Sequence, residues 1–230
     1  MKIMFGGLSA MLLSAAMILS QSVAAASSCD SLMSLSLART TITSTTTVAA
    51  GGFALPQGTP PGPPGTFTSY NTLPAFCRVH GVTKASADSH IEFEVWLPVS
   101  GWNGKCQGAG NGGFAGSIDY PDMAVALSAG YATSSTDTGH QGGGTDAKWA
   151  LGHLEKIADY GHRAIHETAE TAKAIIRTFY GMAPKHSYFS SCSNGGREAL
   201  MEAQRYPADY DGIIAGAPAG FFTHITASFD

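Results

Sequence analysis

The sequence predicts an α/β fold with a mainly parallel sheet. Short runs of β-branched and apolar residues alternate along the chain with segments of helical periodicity, and this order is typical of βαβ units. The 230 residues are 44% hydrophobic and only 13% charged, which suffices to bury one core. We therefore expect one domain over residues 27–230, and no second one.

The first elements are predicted to be extended. Residues 40–48 are rich in Thr and Val, which favour a strand. Proline and glycine dominate 56–65, so this segment is predicted to be an irregular loop. Apolar and polar side chains alternate over 91–97, as in a half-buried strand. Another strand is predicted from about Lys105, leading into a glycine-rich loop at 108–116.

A short helix over 122–129 and a strand over 131–135 precede the clearest helix, at about 155–180. Its apolar residues recur every three or four positions and form one stripe. Gly181 ends this helix, and Pro184 prevents it from resuming. The stripe comprises Ile157, Tyr160, Ala164, Ile165, Thr168, Ala172, Ile175, Ile176 and Phe179.

The last elements are a strand over 186–192, a helix over 194–206 that Pro207 stops, and a short buried strand over 211–216. A sheet of this kind normally needs further strands to cover its edge. We therefore expect the fold to be incomplete at the C-terminus.

The N-terminus resembles a secretion signal over residues 1–26. Lys2 precedes an apolar run at 4–19, and three alanines at 24–26 suit cleavage before Ser27. The alternative is a membrane anchor, but the run is short for a span and lacks a basic flank. We expect a secreted or periplasmic protein without a membrane partner. The net charge of −4 also argues against a nucleic-acid partner.

The four cysteines permit several arrangements. Export would allow disulfides, and four cysteines have three complete pairings, none of which the spacing selects. Free buried thiols are the alternative. The cysteines are Cys29, Cys77, Cys106 and Cys192.

The segment 188–197, YFSSCSNGGR, carries the predicted chemistry. A strand, a sharp turn and a helix meet at Ser193, as in a nucleophile elbow. Gly195 meets the need for a small residue two positions later, whereas Ser191 stands in place of the usual first glycine. An ordinary glycine-rich turn is the alternative, and Cys192 is a weaker candidate nucleophile because it is one residue from the tip.

A tetrahedral oxyanion needs hydrogen-bond donors. The amide of Asn194 lies at the start of the predicted helix, where the dipole favours negative charge. The amide of Gly112 in the loop 111–113 is the candidate for the second donor.

Other polar residues allow two interpretations. His162 and His166 have metal-ligand spacing, but without a third ligand a solvated helix face is favoured. Asp137 and His140 either border the site or stabilise a turn. Asp209 and Asp211, at the far end of the elbow helix, are predicted to form caps or turns.

Several stretches together resemble the tannase and feruloyl esterase family, over nearly all of the chain after residue 26. They are WNGK at 102–105, GNGGFAG at 110–116, STDTGH at 135–140, WALGH at 149–153, CSNGGR at 192–197, AQRYP at 203–207 and DGIIAGAPA at 211–219. The resemblance implies an α/β-hydrolase core with a large lid inserted after the nucleophile. It also implies a secreted carboxylic ester hydrolase that acts on feruloyl or galloyl esters, as small molecules or on plant polymers.

Residue by residue, Ser193 matches the family's nucleophile, and Asn194 and Gly112 match its oxyanion donors. Cys192 matches a cysteine that bridges to one beside the catalytic histidine, beyond residue 230. Cys29 and Cys77 match an N-terminal disulfide pair. Cys106 departs from the pattern and is expected to be a free buried thiol.

The resemblance implies no cofactor for catalysis and a calcium ion in the lid, with no metal ligand in this chain. The chain order in this fold is Ser, then Asp or Glu, then His. His224 lies where the lid should begin, so the acid, the base, the lid and the last strands are expected beyond residue 230. We expect the 230-residue chain alone to be nearly inactive and poorly folded. The alternatives are another serine hydrolase, of lipase or peptidase type, and a non-catalytic scaffold.

Overall fold

The computed structural model describes residues 27–59 and 69–228. The predicted signal segment 1–26 and residues 60–65 of the predicted loop lie outside this part. Seven strands form one sheet in the order β1-β2-β3-β5-β4-β6-β7. The strands are β1 (Thr40–Val48), β2 (Phe76–Thr83), β3 (Ile91–Pro98), β4 (Lys105–Ala109), β5 (Ala132–Thr136), β6 (His186–Cys192) and β7 (Gly212–Gly216).

The sheet has an antiparallel half and a parallel half. Strands β1, β2, β3 and β5 pair antiparallel, whereas β5, β4, β6 and β7 pair parallel. The prediction of a mainly parallel sheet therefore holds for the half that carries Ser193, and the whole sheet is mixed. The sequence prediction missed β2, in which buried Cys77 and Val79 alternate with the partly buried Arg78 and His80.

Helices cover both faces of the sheet. They are α1 (Tyr120–Ser128), α2 (Leu154–Ala158), α3 (Ala164–Tyr180), α4 (Asn194–Arg205) and α5 (Phe222–Ala227). Alternate residues of β3 enter different cores, since side chains point to opposite faces. Val95 packs with Ile175 of α3, whereas Trp96 packs with Met123 of α1. No helix in the described ranges combines the length and apolar character that a membrane span requires.

The predicted helix over 155–180 is not continuous. A π-helical turn, Asp159–Arg163, separates α2 from α3. The extra residue in a π turn shifts the phase of the helix, so the apolar stripe does not run straight through it. Ile157 is accordingly 43% exposed, while Tyr160 and Ile165 are buried.

The Cys29–Cys77 pairing is the one that the family resemblance implies. Cys29 and Cys77 form a disulfide that ties the segment before β1 to β2. Cys106 is a buried free thiol on β4, and burial raises its pKa to about 12. Cys192 is exposed and makes no disulfide within the described ranges.

Candidate active site

The site is built where two parallel strands end. In the β4–β6 pair, Ala109 lies opposite Ser190, so the two carboxyl ends meet at one edge of the sheet. The glycine-rich loop after β4 and the turn after β6 therefore lie side by side. Open α/β sheets bind their ligands at such edges.

Ser193 occupies a strained turn between β6 and α4. Its φ of 61° and ψ of −120° lie outside the regions that L-residues favour. The Ser193 amide donates to Gly216 O at 3.0 Å, and its carbonyl accepts from Ala219 N at 3.0 Å. The loop after β7 thus holds the backbone in place, while the side chain is exposed. This is the geometry of a nucleophile elbow.

Close backbone packing around the elbow requires small residues. A Cβ on Gly195 would lie 2.5 Å from Ser191 Cβ, and one on Gly196 would lie 2.7 Å from Pro218 Cα. A Cβ on Gly110 would lie 2.9 Å from Ser191 Cβ. Ser191 fills the space between Gly110 and Gly195, and its small side chain fits where the sequence pattern usually has glycine.

Two backbone amides near the elbow are the predicted oxyanion donors. Within the described part of the chain, neither Asn194 N nor Gly112 N donates a hydrogen bond to the protein. Asn194 N lies in the first turn of α4, where the helix dipole adds positive potential. Gly112 is exposed on the neighbouring loop. The structure thus places Asn194 directly after Ser193 and holds the loop of Gly112 against α4 through the bond from Asn111 N to Glu198. The roles of these residues as nucleophile and oxyanion donors stay predictions.

The side chain of Asn194 belongs to a buried polar network that sequence reasoning missed. Its Nδ2 donates to Glu198 Oε1 at 2.9 Å, and Glu198 Oε2 accepts from Asn111 N at 3.0 Å. The Tyr160 hydroxyl lies 2.8 Å from Asn194 Oδ1 and 3.1 Å from Gly113 O, and can donate to either. Burial raises the pKa of Glu198 to about 7, although Arg197 opposes this shift.

Arg197 connects the elbow helix to the π-helical turn. Its Nε donates to Asn194 Oδ1 at 2.7 Å, and its terminal nitrogens donate to Gly161 O at 2.8 Å and Tyr160 O at 2.9 Å. The guanidinium also stacks on the Tyr160 ring, 4.6 Å from the centroid. The only hint in the sequence is the helical spacing of Asn194, Arg197 and Glu198, which places three polar residues on one face.

Asp137 and His140 stabilise the loop after β5. Asp137 Oδ1 accepts from Gly139 N at 2.8 Å and from Glu92 N at 3.0 Å. His140 is buried, stacks on Trp149 at 3.7 Å, and donates from Nε2 to Phe114 O at 2.7 Å. Burial lowers the pKa of His140, which favours the neutral ring. The structure thus favours the interpretation that Asp137 and His140 stabilise a turn over the interpretation that they border the site.

The other polar candidates lie in pairs away from the elbow. His162 Nδ1 lies 2.7 Å from the Tyr206 hydroxyl, and His166 Nδ1 lies 2.6 Å from Asp209 Oδ2. These histidines are therefore paired and partly buried, which corrects the expectation of a solvated helix face. Asp211 accepts from Ser187 N at 2.7 Å, near the start of β6 and far from its carboxyl end.

The described residues complete neither a triad nor a metal site. No side chain in them hydrogen-bonds to the Ser193 hydroxyl, and the His224 side chain contacts Thr223 at 3.5 Å and the ring of Phe221. In the same ranges, no three His, Cys, Asp or Glu side chains are grouped to hold a metal ion. The calcium ion expected for the lid stays a prediction.

The class of protein follows from the sheet and the elbow. A half-parallel seven-stranded sheet with a strained serine between β6 and α4 is the architecture of an α/β-hydrolase. The chain belongs to the tannase and feruloyl esterase family, whose model matches residues 77–229.

Individual relatives agree with this assignment. An uncharacterised esterase of Xanthomonas campestris is 46% identical over 200 residues, covering 87% of this chain and 33% of the relative. The crystal structure of feruloyl esterase B from Aspergillus oryzae matches with a TM-score of 0.76 at 34% identity, over 86% of this chain and 38% of that one. Tannin acyl hydrolase from Aspergillus niger matches with a TM-score of 0.62 at 25% identity, over 83% and 36%. The chain thus spans about a third of the length of these relatives.

Proposed function

We propose that this chain carries the nucleophile of a carboxylic ester hydrolase that cleaves feruloyl or galloyl esters. The observation that carries the proposal is the strained, exposed Ser193 beside the free amides of Asn194 and Gly112. Family membership and the names of the similar proteins, feruloyl esterase B and tannin acyl hydrolase, support the substrate class.

The reaction is proposed to proceed by two acyl transfers. Ser193 Oγ attacks the ester carbonyl, its proton passes to a general base, and the oxygen of the tetrahedral intermediate accepts hydrogen bonds from the two amides. The intermediate collapses to an acyl-serine and the alcohol leaves with a proton. Water then attacks the acyl-serine in the same way and releases the aromatic acid.

The general base and its acid partner are proposed to come from sequence that follows residue 230. The described residues offer Ser193 no base, and the relatives are about three times as long as the matched region. Exposed Cys192 is proposed to form a disulfide with a cysteine in that later sequence. Residues 1–230 alone are accordingly proposed to turn over esters very slowly.

Export is proposed as well, to the periplasm or the medium. The Cys29–Cys77 disulfide supports this location, because structural disulfides persist mainly in oxidising compartments.

The test is hydrolysis of methyl ferulate and methyl gallate by the protein expressed from its complete open reading frame, beside Ser193→Ala and Cys192→Ser. We expect Ser193→Ala to lose at least ~1,000-fold in kcat and to lose labelling by a fluorophosphonate. Cys192→Ser should still label at Ser193. Hydrolysis of long-chain acyl esters or amides, with no cleavage of aromatic esters, would indicate a different serine hydrolase. Absence of labelling in the wild type would contradict a catalytic role.

A further inference from the structure

The carboxylate of Glu198 bridges the two sides of the candidate oxyanion site. One oxygen accepts from the side chain of Asn194 at 2.9 Å, and the other accepts from the backbone amide of Asn111 at 3.0 Å. Asn194 carries one candidate oxyanion donor, and Asn111 directly precedes Gly112, which carries the other. The Glu198 side chain therefore contacts both Asn194, which carries the first candidate donor, and Asn111, which is next to the second.

The structure makes room for this bridge. Gly110 packs so closely against Glu198 that a Cβ there would lie 2.5 Å from Oε2. Glu198 is buried, with a side-chain exposure of 1%. Burying a carboxylate is unfavourable unless its oxygens are hydrogen-bonded, and here each oxygen has one donor. The guanidinium of Arg197, 3.9 Å from Oε1, adds a compensating charge.

Tyr160 also lies between α4 and the loop after β4. The Tyr160 hydroxyl lies within hydrogen-bond distance of Asn194 Oδ1 and Gly113 O. The hydroxyl has one proton and can donate to either acceptor, so the firm tie to Asn194 is the one from Asn111 through Glu198, while the Gly112 amide donates to no described residue. Such fixed donors stabilise a developing oxyanion without reorganisation during the reaction.

We propose that Glu198 is a positioning residue, which sets the Gly112 amide relative to the Asn194 amide so that both donate to the same oxyanion. This inference rests on the proposed function, because it assigns a role within the same acyl-transfer site. Glu198 itself does not touch the substrate.

The proposal predicts that substitution of Glu198 lowers kcat and leaves KM unchanged. A misplaced oxyanion donor weakens binding of the transition state and leaves binding of the ester in the ground state unchanged. Glu198→Gln keeps one acceptor and turns an NH₂ group toward the other donor, so we expect kcat to fall roughly 10-fold at constant KM. Glu198→Ala loses both bonds, and we expect a fall of roughly 100-fold.

The loss of kcat in Glu198→Gln should depend on pH, which a purely structural role of Glu198 would not produce. The pKa of Glu198 is raised to about 7 by burial, so its carboxylate becomes neutral as the pH falls through that value. Neutral wild-type Glu198 resembles Gln, so the deficit of Glu198→Gln should shrink below about pH 7. The ionisable groups that influence this titration are Arg197, Asp119, Glu202, Tyr160 and Tyr210.

The experiment compares Glu198→Gln and Glu198→Ala with the wild type and with Glu202→Gln, all expressed from the complete reading frame. Glu202 is also buried on α4, one turn later, but lies beside Asp209 instead of the loop after β4. Two measurements are made: kcat and KM for methyl ferulate per fluorophosphonate-titrated site, and hydrogen–deuterium exchange of the amides at 110–116.

We expect both Glu198 variants to lose kcat and to exchange faster at 110–116, while Glu202→Gln behaves like the wild type. Wild-type kcat in Glu198→Ala, or unchanged exchange of this loop, would overturn the positioning role. If the wild type cleaves no aromatic ester, the proposed function fails, and the exchange measurement still decides whether Glu198 holds the loop.

Discussion

The carboxylate of Glu94 on β3 receives the guanidinium of Arg78 from β2, with Nε 2.8 Å from Oε2. Two further donors complete its shell, Trp96 Nε1 at 2.7 Å and the Tyr120 hydroxyl at 2.9 Å. Glu94 is 1% exposed and Arg78 26% exposed, measured on their side chains. One buried anion therefore joins two antiparallel strands to the start of α1.

We expect Glu94→Ala to lower the free energy of unfolding by about 3–5 kcal/mol, because it leaves buried donors unpaired. Urea unfolding followed by circular dichroism measures this change. Glu92→Gln is the matched control, since Glu92 lies on the same strand with a quarter of its side chain exposed, and should change stability by less than about 0.5 kcal/mol. A loss below about 1 kcal/mol in Glu94→Ala would contradict the network's importance.

Gly195→Ala tests the close packing of the elbow. A Cβ at this position would lie 2.5 Å from Ser191 Cβ, so the turn must open. We expect a destabilisation of about 2 kcal/mol together with a loss of ester turnover. Gly161→Ala is the control, because its Cβ would meet nothing within 4 Å, and it should be neutral or stabilising. Equal thermal midpoints for the two variants would argue against a crowded elbow.

The Cys29–Cys77 disulfide closes a long segment, with a sequence separation of 48. Constraint of the unfolded chain by such a loop is worth about 4 kcal/mol in the chain-entropy model. We expect the double variant Cys29→Ala/Cys77→Ala to unfold at correspondingly lower urea concentration. Reductant should destabilise the wild type more than the double variant, in which only the proposed disulfide of Cys192 can be reduced, and equal sensitivity of both proteins would refute the Cys29–Cys77 assignment.

The His166–Asp209 pair predicts a pH-dependent contribution to stability. The hydrogen bond to Asp209 raises the pKa of His166, and Glu170 and Glu167 add to the shift. A raised folded-state pKa means that this contribution is complete below the unfolded value of about 6.5 and is lost as the pH rises through the folded value.

His166→Phe keeps the stack on Tyr206, whose ring centroid is 4.0 Å away, and removes the charge. Its stability deficit against the wild type should therefore be larger at about pH 6 than at about pH 9. Denaturant unfolding at both pH values measures the deficit, with His90→Gln as an exposed control. A deficit that does not change with pH would show that the pair carries no net charge interaction.

The sequence predicted the strands and helices around Ser193 because apolar periodicity records which faces are buried. It did not reveal β2, in which Arg78 and His80 stand among apolar residues and find partners only in the folded sheet. The π-helical turn was equally hidden, since Arg197, which donates to Tyr160 O in that turn, lies 37 residues later in the chain.

The candidate site, too, was only partly predictable from the sequence. Ser193, Asn194 and Gly112 could be proposed from the sequence because local chain geometry demands small residues near the turn. Glu198 looks like a residue of a solvated helix face, and only the approach of the loop after β4 turns it into a buried acceptor. Contacts between distant segments carry no local periodicity, so they required the structure.

The positive φ of Ser193 makes the fold less stable at the position of the proposed nucleophile. Glycine would adopt this backbone conformation without strain, so Ser193→Gly should raise the free energy of unfolding by about 1 kcal/mol while abolishing nucleophilic attack. The proposed nucleophilic role of Ser193 would therefore oppose a gain in stability, and a screen that scores stability alone would favour glycine at this position.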